Sequence, residues 1–195
     1  MKNKKLFSIV AGAIMASLVC IGAFIRVPLP LIPFTLQTLF VMLSGLLLGS
    51  RTGGSAVFIY MAAGLSGLPV FTGGGGVGYI LKPSFGYIIG FVAGAYVAGL
   101  IAERGTLTFK RAVAACAASL GVIYALGTGY YVLLTLLYFN GTIELWPLFL
   151  NFVLLTLPGD VLKLFAAATI SVRLRPVLSF VTKEKQKTDM TTTEP

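Results

Sequence analysis

Five stretches without a single charged side chain, residues 6–25, 27–50, 52–81, 83–102 and 112–143, occupy most of this 195-residue chain. A helix needs about 20 mostly apolar residues, within a range of about 17–25, to cross the hydrocarbon core of a bilayer. The pattern predicts crossings at roughly 6–25, 34–50, 53–68, 85–102, 112–138 and 147–172, an all-α integral membrane bundle of six transmembrane helices. The second and third are short for a full crossing, and irregular backbone at that depth survives only where protein shields it or it lines a cavity. Composition excludes a water-soluble monomer: 57% of the residues are hydrophobic and 11% charged, against about 25% charged in soluble domains.

The basic residues set the orientation. With six crossings both termini share one side, and that side holds Lys2, Lys4, Lys5, Arg51, Arg104, Lys110, Arg111, Arg173, Arg175, Lys183, Lys185 and Lys187. The other side holds Arg26 and Lys82, and Lys163 falls inside the sixth segment. Positive residues accumulate in the cytoplasm, so both termini are expected there. The net charge of +9 is thus topogenic; no face interleaves basic and aromatic residues as a nucleic-acid surface would. The opening Lys2-Asn3-Lys4-Lys5 and apolar run imitate a signal peptide, but the run is longer than the usual h-region of about 7–15 residues. An uncleaved first helix keeps the charge pattern intact. The membrane domain is expected over 1–175, followed by a disordered cytoplasmic tail over 176–195. The sequon at Asn140 lies near a membrane boundary and reads as a chance match.

Small residues recur every fourth position: Gly86, Gly90, Gly94 and Ala98 in the fourth segment, and Ala117, Gly121, Ala125 and Gly129 in the fifth. Such stripes let helix backbones approach closely in lipid, so these two segments are expected to pack within one bundle. Gly12/Ala16 and Ala13/Ser17 in the first segment either pack internally or present a smooth face to another membrane subunit.

The chemistry-bearing candidates are the polar residues in apolar surroundings. Asp160 and Lys163 share one face of the sixth helix, and each costs about 2.5–3.5 kcal/mol near the bilayer centre. They form either a mutually neutralising structural pair or a polar site facing a cavity. Pro158-Gly159 just before them predicts a helix break, and broken helices mark substrate sites in transporters. The loop LPVFTGGGGVGYILKP over 69–84 contains a G-x-G-x-x-G at Gly73, Gly75 and Gly78. No acidic residue follows at the distance a dinucleotide site needs, and no Gly-Lys-Ser/Thr forms a P-loop. The loop reads instead as backbone that approaches a ligand or as a flexible lid. Lys82 at its end either holds an anionic group or is a solvated boundary charge. The proline-rich connection after Arg26 is stiff, and leads to Thr35, an N-cap candidate, and Gln37, which needs a hydrogen-bond partner on a ligand or another helix.

No catalytic set is present. The chain has no histidine, and no Ser or Cys has a base beside it. Cys20 and Cys116 lie in apolar runs and read as buried free thiols. No metal site or cofactor is expected, and the remaining reading is a binding or transport subunit rather than an enzyme.

Three segments together, PFTLQTLFVMLSGLLLG (33–49), GLPVFTGGGGVGYILKPSFGYIIGF (67–91) and LPGDVLK (157–163), resemble the biotin-specific S component of energy-coupling factor (ECF) transporters, the BioY type. The likeness runs in order and spacing from about residue 6 to 175 and implies a six-helix subunit of the bacterial plasma membrane that captures biotin from outside. It also implies a transmembrane coupling partner (EcfT) and two ABC-type ATPase subunits that supply the energy for inward release. Gly12, Ala13, Ala16 and Ser17 become the candidate docking residues for the coupling protein, in place of an Ala-xxx-Ala. The ligand chemistry suits Asp160 as acceptor for the ureido N–H groups and Lys163 as donor to the ureido oxygen. Lys82, with Tyr87 or Ser84, stands as carboxylate partner where the family often places an Asn or Arg. Phe34, Phe71 and Tyr79 are candidate apolar walls, with Gly74 and Gly75 in the closing loop and Thr35 and Gln37 beside the ligand. The alternatives are an S component for another small vitamin, an integral-membrane enzyme using Asp160, and a structural subunit without a ligand.

Overall fold

In the computed structural model, residues 2–28, 34–138 and 156–191 are described, with side chains over 5–28, 34–138 and 156–178. The centre of the proline-rich connection, Asn140 and the first part of the sixth expected crossing lie outside the described residues. Among the described residues there are five helices: α1 (Lys2–Phe24), α2 (Gln37–Leu65), α3 (Phe85–Glu103), α4 (Phe109–Leu137) and α5 (Leu157–Thr191). A two-stranded antiparallel ribbon, β1 (Arg26–Val27) against β2 (Phe34–Thr35), pairs Arg26 with Thr35 and Val27 with Phe34 and closes the α1–α2 connection. A short 3₁₀ turn, Val77–Leu81, ends the glycine-rich loop. Among the described residues, three helical segments are long and apolar enough to cross a membrane: Lys5–Phe24, Phe85–Glu103 and Phe109–Leu137.

α2 is a hairpin rather than a rod. Gly49 adopts φ +82° and ψ 177° inside it, a conformation open to glycine and costly for other residues. The Ser44 hydroxyl donates to the Gly53 carbonyl at 3.0 Å; nine residues along a straight helix would separate them by about 13 Å. Gln37 and Tyr60, at the open end of the hairpin, are likewise hydrogen-bonded at 2.7 Å. The two short segments at 34–50 and 53–68 thus fold back on each other. The turn is capped by Glu103, whose carboxylate accepts from the Ser50 backbone N–H at 2.9 Å and from its hydroxyl at 2.8 Å. Arg175 ties α5 to the same end by donating to the Ala102 carbonyl at 2.7 Å.

The small-residue stripe of α3 packs as expected, but against a different face of α4. A Cβ on Gly86 would fall 2.3 Å from Tyr130, and one on Gly90 would fall 3.0 Å from the Ile123 backbone. The α4 stripe expected at this contact, Ala117, Gly121, Ala125 and Gly129, is exposed. α3 supplies a groove that Ser119, Ile123 and Tyr130 of α4 fill, and Gly127 of α4 in turn makes room for Tyr87. Large apolar side chains such as Ile9 (68% exposed), Leu133 and Leu162 point outward, as lipid-facing residues do.

α5 begins at Leu157 with Pro158 in its first turn, where a missing backbone N–H costs little. The break expected at Pro158-Gly159 falls at the edge of the described residues, and residues 151–155 before it lie outside them. α5 continues through Pro176 to Thr191, over the stretch read from the sequence as a disordered tail; Lys183, Glu184, Lys185, Gln186 and Lys187 are all good helix formers.

Candidate functional site

At the end of the bundle opposite the Gly49 turn, the open end of the α2 hairpin, the glycine-rich loop, the start of α3, the middle of α4 and the start of α5 line a partly open cavity. One wall is polar and centres on α5; the others are largely aromatic.

The polar wall is built around Asp160 and Lys163, each with a side chain 7% exposed and joined as an ion pair one helical turn apart. Lys163 donates to the Thr35 carbonyl at 2.7 Å and to the Thr38 hydroxyl at 2.5 Å, besides the Asp160 carboxylate. An ammonium has three protons, so all three have protein partners. Donation to a ligand would require one of them to be given up. Asp160 accepts from Thr38 at 3.1 Å and from the Tyr124 hydroxyl. Burying two charges in this setting is tolerable only because each is paired and hydrogen-bonded. The Phe34 ring lies under the ammonium, with its centroid 4.0 Å from Nζ, a cation–π contact that a dry site strengthens.

Thr35 and Gln37 sit where α2 begins. Thr35 precedes the Leu36 cap position and its hydroxyl accepts from the Gln37 backbone N–H at 3.3 Å, a local turn bond rather than a helix cap. Gln37 receives the Thr35 hydroxyl on its side-chain oxygen at 3.2 Å and donates to Tyr60. Its partner is thus the second arm of the hairpin, which fixes the amide at the cavity wall. Tyr60 in turn donates to the Val70 carbonyl at 3.2 Å, linking this wall to the glycine-rich loop.

Eight sequence-derived candidates line the cavity: Phe34, Thr35, Gln37, Tyr79, Ser84, Tyr87, Asp160 and Lys163. Phe71, Gly74, Gly75 and Lys82 do not. Phe71, 1% exposed, packs behind two lining residues, with ring centroids 5.5 Å from Tyr60 and 4.6 Å from Tyr79. Gly74, at φ +110°, closes a tight turn in which Phe71 and Gly74 exchange backbone hydrogen bonds of 2.9 and 3.2 Å. Gly75 lies so close to the Leu68 carbonyl that a Cβ would come within 2.1 Å of it. These glycines let the loop fold onto the end of α2 and present no backbone to the cavity. Lys82 donates to the Gly73 carbonyl at 2.9 Å and sits 4.7 Å from the Tyr79 ring centroid. Arg26, the other cation expected on this side, donates to the neighbouring Thr72 carbonyl.

Of the lining residues, Thr38, Tyr60, Thr72, Tyr124 and Thr156 escape the sequence reading. A threonine in an apolar segment satisfies itself on its own backbone so often, and a tyrosine there is so often plain packing, that none of these stands out; Thr38 and Thr72 only adjoin the flagged Gln37 and Phe71. On α1, Gly12 is buried against Thr52 and Ala56 of α2, and Ala16 packs on the core. Ala13 and Ser17 are exposed. The two small-residue pairs thus divide between an internal contact and an outer face.

Comparison with known proteins bears on this site. The model of the BioY family matches residues 1–180. A probable biotin transporter BioY of Lysinibacillus sphaericus is 39% identical over 178 residues, which cover 91% of each chain. The biotin transporter BioY of Thermotoga maritima is 43% identical over 120 residues, covering 61% of this chain and 70% of the relative. The crystal structure of an S component for biotin from an ECF-type ABC transporter superposes with a TM-score of 0.74 at 26% identity, covering 90% of this chain and 94% of that one.

Proposed function

The chain belongs to the BioY family, and from that premise we propose that it is the membrane-embedded S component that binds biotin for an ECF-type uptake transporter. It is a membrane protein and a transport subunit, not an enzyme. The observation that carries the reading is the Asp160–Lys163 pair, buried in the wall of a cavity. Charged groups inside a membrane bundle are kept for partners, and here the pair lines a cavity.

Biotin complements that space. Its ureido ring brings N–H donors, one of which the open acceptor position of the Asp160 carboxylate takes. Lys163 holds that carboxylate in place. The thioether ring and alkyl chain suit the walls formed by Phe34, Tyr79, Tyr87 and Phe91. The valerate carboxylate points to the loop side, where Ser84 lines the cavity and Lys82 and Arg26 lie at the rim. Phe71, Gly74 and Gly75 support the loop rather than touch the ligand.

The topology follows the same reading. Counting the α2 hairpin as two crossings gives six, with both termini in the cytoplasm of a bacterial cell and the membrane domain over 1–175. The cavity lies at the end away from the Gly49 turn, Arg51, Arg104 and Arg175; by the charge rule that end faces outward. An EcfT-type coupling protein and two ABC-type ATPases are the partners. The exposed Ala13/Ser17 face of α1 meets the coupling protein, and a reorientation of the whole subunit, powered by ATP hydrolysis in the partners, delivers the vitamin inward.

Equilibrium binding of labelled biotin to the purified protein tests this. Saturable one-to-one binding, lost on Asp160→Asn, is expected. No binding at micromolar ligand overturns it, and preference for a different vitamin reassigns the subunit within the same transporter class.

A further inference from the structure

We infer that Thr38 sets the hydrogen-bonding polarity of the pocket, making the buried ion pair an acceptor-only centre that admits a ligand through its N–H groups and rejects one offering only acceptors. This rests on the biotin-binding reading above and adds a specificity-determining residue to it.

The inference comes from counting protons. Lys163 has three donors, spent on Asp160, the Thr35 carbonyl at 2.7 Å and the Thr38 oxygen at 2.5 Å. The Thr38 hydroxyl has one proton, and it goes to Asp160 Oδ1 at 3.1 Å. Thr38 therefore acts in both directions at once: it absorbs the last ammonium N–H and delivers its own proton to the carboxylate. Asp160 takes Lys163 and Thr38 on Oδ1 and Tyr124 on Oδ2. A carboxylate offers about four acceptor sites, so one position on Oδ2 is left over. Among the described residues, the ion pair has no donor to spare and one acceptor to offer. Thr38 is itself 8% exposed, so water cannot readily replace it.

A ligand ring bearing N–H groups meets an open acceptor at this centre. A carboxylate, or a ring without N–H, meets none of the donors it needs. Removing the hydroxyl reverses that bias. Lys163 then carries an unsatisfied N–H at the cavity wall, and a buried donor left unpaired costs about 1–3 kcal/mol, a factor of roughly 5 to 150 in affinity, until something accepts from it. An acceptor-bearing ligand gains what the protein loses.

The test uses biotin and its N,N′-dimethyl derivative, whose ring keeps the ureido carbonyl as an acceptor and has no N–H. Affinities of both are measured for the purified full chain and for Thr38→Ser, Thr38→Val and Thr38→Ala, the last removing the hydroxyl with less bulk. The wild type and Thr38→Ser should bind biotin and bind the dimethyl derivative poorly. In Thr38→Val and Thr38→Ala the dimethyl derivative should bind about tenfold tighter or more than it does to the wild type, because its carbonyl accepts the freed Lys163 proton. Tyr124→Phe, which removes a donor to Asp160 and frees no Lys163 proton, should not improve binding of the dimethyl derivative. No gain for that derivative in Thr38→Val and Thr38→Ala would overturn the inference while leaving the biotin assignment standing. A wild type that does not bind biotin would remove both.

Discussion

Gly159 and the Phe34 ring are in contact with no room for another carbon: a Cβ at position 159 would lie 2.3 Å from Cζ of Phe34. The same ring sits under the Lys163 ammonium, so a glycine in the first turn of α5 determines where an aromatic wall meets the ion pair. Gly159→Ala should improve helix propensity locally by up to about 1 kcal/mol, yet push Phe34 out of place. Biotin affinity is expected to fall at least tenfold while thermal stability in detergent changes little. Pairing Gly159→Ala with Phe34→Leu, which removes the clash, should recover part of the affinity; no recovery would argue against a steric cause.

Asp160→Asn and Lys163→Met should differ in kind. Removing the carboxylate leaves an ammonium buried among neutral acceptors, and breaking a buried pair from one side costs about 3–5 kcal/mol. Asp160→Asn should therefore lower both melting temperature and biotin binding. Lys163→Met leaves Asp160 with Thr38 and Tyr124 as donors, so its oxygens keep part of their hydrogen bonding. The double replacement Asp160→Asn/Lys163→Met should be more stable than Asp160→Asn alone and still fail to bind biotin. Melting curves and binding isotherms on the three variants separate stability from recognition; retained binding in the double variant would exclude the ion pair as the ligand centre.

Asp160, Lys163, Gln37 and Thr35 were legible in the sequence because polarity in an apolar run has few structural excuses. The second half of the site was not. Tyr124 and Tyr60 belong to it through contacts spanning 36 and 23 residues, and a tyrosine in a membrane segment carries no mark of which way its hydroxyl points. The glycine-rich loop was conspicuous for the wrong reason: Gly74 and Gly75 satisfy a tight turn and a close backbone approach, both invisible to spacing. The hairpin in α2 shows the same limit. Two short apolar segments are readable from charge, but the pairing of Ser44 with Gly53 depends on one backbone conformation at Gly49.

That conformation gives a stability prediction. Gly49→Ala forces a side chain into φ +82° and places its Cβ 2.1 Å from a Glu103 carboxylate oxygen. The carboxylate must then release Ser50, uncapping the second arm of the hairpin, for a combined cost of about 2–4 kcal/mol. Yield of folded protein and melting temperature should drop. The cavity lies at the other end, so the folded fraction should bind biotin normally.

Lys82 and Arg26 hold adjacent loop carbonyls, at Gly73 and Thr72, and neither lines the cavity. If they serve the ligand through the loop, single replacements should weaken biotin binding modestly, by up to about fivefold, since exposed charge contacts contribute roughly 0–1 kcal/mol. The effect should appear mainly in the dissociation rate, because an untethered loop opens more often. Biotin methyl ester distinguishes direct from indirect action. If Lys82 contacts the carboxylate itself, Lys82→Ala should cost the acid far more than the ester; equal costs for both would assign Lys82 to the loop.

The division of small residues on α1 lets the proposed assembly role be tested apart from binding. Ala13 and Ser17 are exposed, whereas Gly12 is buried against α2. Enlarging the outer pair, as in Ala13→Leu or Ser17→Leu, adds bulk to an exposed face, and in lipid an apolar addition there is tolerated without loss of fold. Biotin binding by the isolated subunit should be unchanged within twofold. Uptake by cells that supply the coupling protein and ATPases should fall severalfold or more, because close helix approach in a membrane depends on small residues. Gly12→Leu should instead destabilise the subunit and reduce binding. Uptake that survives Ala13→Leu and Ser17→Leu together would move the docking face elsewhere, and the exposed small-residue stripe of α4 is the next surface to probe.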